Sequence, residues 1–301
     1  MNYIVMDLEW NGGYSRYTHG YFNEILEIGA VSLDESMTVR SEFQVLIRPS
    51  LVEGISRLVR QMTGITKEEA AKGIPFTEAM RRLQQWIDGK PAVILTWSQT
   101  DLHMMEENCR FFYGSERIPF LERYADLQAY CQRKMALSTA QQLGLEAACR
   151  LLEIDEEGAD HHRALDDSRL TARIMARLYQ AEEFVPYIQE ANEEFYRRLN
   201  FKTRLLSDLD DPVLDKEQLR FHCEQCGKEL LPERDWRYRS RAFCTAMYCP
   251  DCGKHYEARV QFKEKYEGII VKRRLTEKAE TPEIQKKEET EHGETQISGG
   301  V

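Results

Sequence analysis

The sequence predicts an α/β domain with a mixed sheet, followed by a small β module organised by cysteines. Three observations carry this. Apolar runs at hairpin spacing open the chain, then strand-type and helix-type periodicity alternate through about residue 180. Two Cys-x-x-Cys pairs lie close together, at 223–226 and 249–252. A length of 301 residues suits roughly two domains. With 42% hydrophobic and 31% charged residues, the chain can bury a sizeable core, which excludes a wholly disordered polymer. No run approaches the ~20 apolar residues of a membrane helix. No basic stretch followed by an apolar one marks a signal peptide. Eight cysteines, four of them paired in this way, point to a reducing, cytoplasmic setting and a metal knuckle rather than a disulfide framework.

The elements follow in order. Tyr3 to Trp10 reads as a strand, as do Glu24 to Leu33 and Val39 to Ile47, all rich in Val, Ile, Leu and Phe. Phe76, Ala79, Met80, Leu83, Trp86 and Ile87 recur at helical spacing, and a buried strand follows at 92–97. Helices are predicted over 101–113, 126–135, 140–152 and 164–180. Residues 181–218 read as a helical connector that ends at the Asp208-Leu209-Asp210-Asp211-Pro212 break. Residues 219–275 hold the cysteine module. The segment 276–301 is poor in large apolar residues and rich in Glu, Lys and Thr, the composition of a disordered acidic tail.

Three groups of residues carry chemistry. In Asp7-Leu8-Glu9 the two acids leave the same face of a strand, and burying them unpaired in an apolar strand is costly. A divalent cation would supply the missing charge, although an edge strand with a solvated face also fits D-x-E alone. Asp101 opens a helix on the packing side of Met105 and Phe112, where macrodipole preference alone would explain an acid but not its apolar face. In His161-His162-Arg163-Ala164-Leu165-Asp166-Asp167, helix geometry separates the acids. Asp167 shares a face with Leu170, Ile174 and Leu178, whereas Asp166 lies with Arg169, Arg173 and Arg177 on an ion-paired side. His162 then precedes the helix in a position suited to a base, and His161 falls in the loop. Four carboxylates and a histidine in this order describe a two-metal site for phosphodiester cleavage, with Asp7 as the bridge and Asp101 acting through water. All-oxygen ligands suit two Mg²⁺ or Mn²⁺ ions, and His162 suits general-base work on the attacking water.

The order D-x-E, Asp after a strand, then H-x-x-x-x-D resembles the DnaQ-like 3′→5′ exonucleases of the DEDDh subclass. Ile28-Gly29-Ala30-Val31, Leu127 to Tyr130, Leu143-Gly144-Leu145 and His162 to Ser168 look most like the Eri/KapD-type branch. The resemblance covers about residues 1–180. It implies a ribonuclease H-like mixed sheet flanked by helices, with Asp7, Glu9, Asp101 and Asp167 as metal ligands and His162 as general base. It further implies release of nucleoside 5′-monophosphates from the 3′ end of single-stranded nucleic acid, and the Eri-type likeness leans toward RNA. Ser98-Gln99-Thr100 departs from the commoner family context ahead of the third acid. KapD-type relatives are linked to inhibition of a sporulation kinase pathway. A regulatory protein-binding module on this fold is therefore the alternative reading, with a regulatory protein as partner. Leu8, Trp10 and Leu102 are candidates for gripping the terminal nucleotide, and a core role is the default for each.

Cys223, Cys226, Cys249 and Cys252 form two C-x-x-C-G knuckles that would present four thiolates to one structural Zn²⁺, a C-terminal zinc ribbon. Cys244 reads as a spare buried strand residue. Between the knuckles, Arg237, Arg239 and Arg241 alternate with Trp236 and Tyr238. The pattern suits phosphate contact with base stacking, and equally a solvated face over a thin core. The whole-chain charge of −10 hides a division. Residues 219–275 carry 13 Lys plus Arg against 8 Asp plus Glu. The acidity therefore does not exclude nucleic acid, because the ribbon and the bound cations would attract it.

Overall fold

Alternation along the first strand decides where the acids point. In this computed structural model, which describes residues 2–87, 92–138, 141–155 and 162–278, the strand β1 runs Asn2–Ser15. Ile4, Met6 and Leu8 enter one core, while Tyr3 and Val5 enter the other. Asp7 and Glu9 continue the Tyr3 and Val5 face.

The chain divides into two compact units, Met1–Asn200 and Phe201–Val301. In the first, β1 is followed by β2 (Gly20–Leu33), β3 (Val39–Leu46), α1 (Arg57–Thr63), α2 (Lys67–Ala70), α3 (Phe76–Ile87) and β4 (Ala92–Thr96). Then come α4 (Thr100–Tyr113), β5 (Arg123–Asp126), α5 (Leu127–Lys134), α6 (Leu145–Leu151) and α7 (Ala164–Leu178). The unit closes with α8 (Ala181–Phe184), β6 (Gln189–Glu190) and α9 (Glu193–Leu199). The sheet order is β3-β2-β1-β4-β5-β6. β1, β2 and β3 pair antiparallel, β1-β4 and β4-β5 are parallel, and β6 returns antiparallel. One core lies between the sheet and α3 and α4, around Phe76, Leu83, Leu102 and Met105. The other holds Tyr130, Leu170 and Ile174 from α5 and α7. The expected α/β class with a mixed sheet is therefore the observed one.

Boundaries differ from expectation for local reasons. β1 extends five residues past Trp10, through Gly12-Gly13. Here the missing side chains leave room for others: a β-carbon would lie 2.0 Å from the Tyr21 hydroxyl at Gly12 and 2.5 Å from Val52 Cγ1 at Gly13. Of the helix expected over 140–152, the described part is helical only from Leu145 to Leu151, with Gly144 as its cap. Residues 181–200, expected as part of a connector, belong to the first unit, where β6 adds to the sheet edge.

The second unit holds β7 (Arg204–Leu205), β8 (Leu231–Pro232), β9 (Arg237–Arg239), β10 (Ala242–Tyr248), β11 (His255–Lys265) and β12 (Gly268–Glu277). They form a curled antiparallel sheet in the order β12-β11-β10-β8, with β7 on β11 and β9 on β10. Phe243, Tyr256, Val260 and Phe262 fill its core with Cys223 and Cys249 from the knuckles. Arg241 is not a strand residue. Ser240 and Arg241 make the two-residue β9-β10 turn, with φ values of 49° and 65°, the pattern of a type I′ hairpin. The segment expected as a disordered tail begins inside β12, and residues 279–301 lie outside the described residues. Among the described residues, no helix is long and apolar enough to cross a membrane.

Candidate active site and cysteine centre

Three elements bring the acids together. β1 supplies Asp7 and Glu9, and the first turn of α7 supplies Asp167. One carboxylate oxygen from each lies within 4.8 Å of the others. Asp101, buried in the first turn of α4, stands beside them and accepts a hydrogen bond from the Leu8 N–H at 3.3 Å. Asp166 turns away and pairs with Arg169 at 2.7 Å, and Arg169 also binds Glu42. His162 sits in a turn immediately before α7, with φ at 67°, a left-handed conformation that a β-carbon disfavours. His161 lies outside the described residues.

Crowding like charges out of water has a direct electrostatic result. Burial pushes Asp7 well above the usual carboxylate range, and Asp101, Asp167 and Glu9 push it further. Burial raises Glu9 to about 8, aided by Asp167 and Glu27 and opposed by the Arg163 guanidinium. Burial likewise raises Asp101 to about 7, against the hydrogen bonds from its own N–H and that of Leu8. Such a set fits divalent cations. It offers several oxygens within reach of one another, and cations would relieve the repulsion that the fold imposes.

The segment carrying His162 and Asp167 is pinned by residues that spacing did not single out. Glu27, fully buried on β2 and directly opposite Glu9, grips Arg163 with both oxygens. Arg163 Nε donates to Oε2 at 3.0 Å and Nη2 to Oε1 at 2.7 Å. The Ala164 N–H and the Gln44 amide donate to the same carboxylate at 3.2 and 2.8 Å. Arg163 also reaches Glu69 at 3.2 Å. The Arg163 carbonyl in turn accepts from the Asp167 N–H at 3.0 Å. Two residues along β2, a β-carbon on Gly29 would lie 2.1 Å from the Ala164 carbonyl carbon, so α7 begins in backbone contact with the strand. Ser168 donates to the Gly29 carbonyl at 3.0 Å. The available signals were an acid inside an apolar strand, Glu27, and an arginine set between the histidine and the helix.

Of the residues considered for gripping a nucleotide, Leu8 and Leu102 are buried in the core, and Trp10 packs half-buried against it. In the ribbon, Trp236 stacks on Phe221 at 6.4 Å and Tyr238 meets Phe243 edge-on at 5.3 Å, so both aromatics serve packing. Arg237, Arg239 and Arg241 are exposed.

The four cysteines converge as their spacing predicts, with ligand atoms within 4.8 Å of one another. The two knuckles repeat one hydrogen-bonding scheme. Gly227 N–H donates to the Cys223 carbonyl and Gly253 N–H to that of Cys249, each at 2.9 Å, with φ near 70° at both glycines. The nearest sulfurs are 3.4 and 3.5 Å apart and are free thiols. The Tyr256 hydroxyl lies 3.2 Å from Cys223 Sγ and, with the Cys226 and Gln225 N–H groups, pulls that thiol down to about 6. Four thiols around one point, some of them readily ionised, fit a tetrahedral zinc ion. Cys244 stands apart on β10, buried beneath Arg259.

Comparison with known proteins bears on this site. The RNase T exonuclease family profile matches residues 4–175. The probable 3′-5′ exonuclease KapD of Bacillus subtilis is 26% identical over 187 residues, covering 60% of this chain and 85% of that protein. ERI1 exoribonuclease 2 of Xenopus laevis is 27% identical over 207 residues, but the match spans only 28% of its length. Among solved structures, the nuclease domain of 3′hExo, a DEDDh family member bound to rAMP, superposes with a TM-score of 0.53 at 19% identity, over 64% of this chain and 96% of that one. A 3′-exonuclease recognising the histone mRNA stem-loop gives 0.52 at 17%, over 64% and 91%. These two likenesses concern the fold.

Proposed function

The chain belongs to the RNase T family of exonucleases and is a 3′→5′ exonuclease; from that premise we propose how its residues divide the work and which nucleic acid they take. The observation that carries the proposal is the convergence of Asp7, Glu9 and Asp167, with Asp101 beside them and His162 next to the helix that bears Asp167. Asp7, Glu9, Asp101 and Asp167 would hold two Mg²⁺ or Mn²⁺ ions. When bound, these ions stabilise charge on the attacking and leaving oxygens. His162 accepts the proton of the attacking water. The bond from phosphorus to the 3′-oxygen of the penultimate nucleotide breaks, freeing a nucleoside 5′-monophosphate and leaving a shorter chain with a 3′-hydroxyl. Trp10, the half-buried member of its trio, offers the terminal base a surface that Leu8 and Leu102 lack.

Residues 1–200 do the chemistry in this reading. The C-terminal ribbon, which Cys223, Cys226, Cys249 and Cys252 would close on one Zn²⁺, adds phosphate contacts from the strand residues Arg237 and Arg239. The free thiols suit a reducing, cytoplasmic setting. RNA is the favoured substrate. The support is the Eri/KapD-type pattern of residues 162–168 together with relatives named as exoribonucleases, including 3′-5′ exoribonuclease 1 of Rattus norvegicus, 25% identical over 171 residues. That match covers 48% of the rat protein. Matched single-stranded RNA and DNA labelled at the 5′ end test both parts. Stepwise shortening of RNA from the 3′ end, faster than of DNA and lost in Asp7→Ala, is the expected result. Equal or faster loss of DNA would overturn the RNA assignment, and turnover that survives Asp7→Ala would overturn the site.

A further inference from the structure

The register of the C-terminal sheet places more cations together than the Arg237–Arg241 segment contains. Arg237 on β9 lies opposite Cys244 on β10, Cys244 opposite Arg259 on β11, and Arg259 opposite Arg274 on β12. Residues directly opposite one another in antiparallel strands share a face. One row across four strands therefore reads Arg, Cys, Arg, Arg. Two residues along, Arg239 faces Ala242 and Lys272 faces Gln261 on the same side. Lys263 shares that side by alternation along β11. The opposite side is the core face, carrying Phe243, Tyr256, Val260 and Phe262.

The face is unevenly neutralised. Glu257 shares it and pairs with Arg239 at 3.1 Å. Arg259 donates to the Ser240 carbonyl and reaches Cys244 Sγ at 3.8 Å, so it is held in place by neutral partners. Arg237, Lys272 and Arg274 are exposed and have no carboxylate partner among the described residues. Along β10 the face is floored by small buried residues, Ala242, Cys244 and Ala246. Trp236 and Tyr238, the aromatic groups that would stack bases there, are turned into the core contacts already described.

We propose that this outer face, centred on the row Arg237, Arg259 and Arg274, is a sequence-neutral binding surface for the phosphate backbone of a polynucleotide. The proposal rests on the exonuclease reading above and deepens it. The surface is the sheet face and not the hairpin turn, and it works by phosphate contact without base stacking. Positive charge with few acids, on a module of a chain that processes nucleic acid, is complementary to that polyanion.

The test uses the full-length chain, with catalysis and binding read separately. Arg237→Glu, Arg259→Glu and Arg274→Glu are combined and compared with Arg241→Glu in the turn. Retained zinc stoichiometry and an unchanged unfolding temperature show that the sheet is intact. Affinity for 20-nucleotide oligo(U) and oligo(A) is measured from 50 to 200 mM salt in buffer free of Mg²⁺ and Mn²⁺ and with no chelator, so that the ribbon keeps its zinc. Loss of three single-strand phosphate contacts lowers the slope of log affinity against log salt by about 2, for both sequences alike. KM for the 20-mers should rise at least about tenfold at low salt, while trinucleotide turnover stays as in wild type and Arg241→Glu does little. An Arg259→Lys variant keeps the charge and should keep the slope. Wild-type slope and KM in the triple variant, with trinucleotides still degraded, would overturn this surface while leaving the exonuclease reading intact. Absence of turnover on trinucleotides and 20-mers by the wild-type chain would instead overturn the exonuclease reading.

Discussion

The carboxylate site gathers its members from positions 7, 9, 101 and 167, on two strand residues and two helix starts. The cysteine centre takes all four from two short turns with the same hydrogen bonds. In the first, the fold is complete around Asp7, Glu9 and Asp167 through Glu27, Gly29 and two hydrophobic cores, and it forces the acids together against their repulsion. In the second, the thiols themselves form part of a thin core, since Cys223 and Cys249 pack with Phe243 and Tyr256. One centre is a cost that the surrounding structure sustains for chemistry, and the other is a support without which its surroundings lack cohesion.

Asp7→Ala should show the largest effect and sets the two centres apart most clearly. Turnover should fall on the order of 10³-fold or more. The metal-free protein should lose no stability at pH 8, and Asp7→Asn should raise its unfolding temperature by about 2–4 °C, the equivalent of roughly 1 kcal/mol for a unit this size. A lowered unfolding temperature in Asp7→Asn would show that the acids are not held in repulsion. The cysteine centre should respond in the opposite way. Cys249→Ser, or stripping zinc with a strong chelator, should expose residues 201–278 to proteolysis while residues 1–200 resist, because structural zinc contributes about 10–16 kcal/mol of binding to such modules. Equal protease resistance of both units after zinc removal would break the comparison.

Next in size is the grip of Glu27 on Arg163. Arg163→Ala should lower kcat by about 10–100-fold, the range for residues that orient a metal site, with a much smaller change in KM. A pure loss of stability with normal kcat at low temperature would argue against an orienting role. The smallest effect is in pH dependence. The raised values of about 8 for Glu9 and 7 for Asp101 mean that the folded chain holds protons more tightly than the unfolded one. The stability they contribute is therefore fully present below the ordinary carboxylate range near 4 and is lost as pH rises toward 8. Mn²⁺ competes with those protons, so its stabilisation of the unfolding midpoint should be larger at pH 8 than at pH 6. An equal shift at both pH values would place the bound ion elsewhere.

The same contrast explains what could be read from the chain. The knuckles were legible because two thiols and a glycine at fixed spacing specify the turn locally. The acids were legible as a set because strand alternation aligns Asp7 with Glu9, and helix periodicity separates Asp167 from Asp166. Glu27 and Arg163 were not, since their partnership spans 136 residues and depends on the register of β2 against β1. Nor was the row from Arg237 to Arg274, which exists only once four strands are paired. Short edge strands such as β6 escaped because two residues carry no periodicity.

Gly29 leaves a last consequence. The start of α7 rests on bare backbone, so the distance between the helix that bears Asp167 and β2, whose Gly29 lies opposite Asp7, is set by a hydrogen atom. Such a gauge has no finer setting. A methyl group there would displace the helix outright, whereas core residues around it can trade volume in small steps. Drift in the surrounding packing can therefore accumulate while the spacing of the acids is inherited whole or lost.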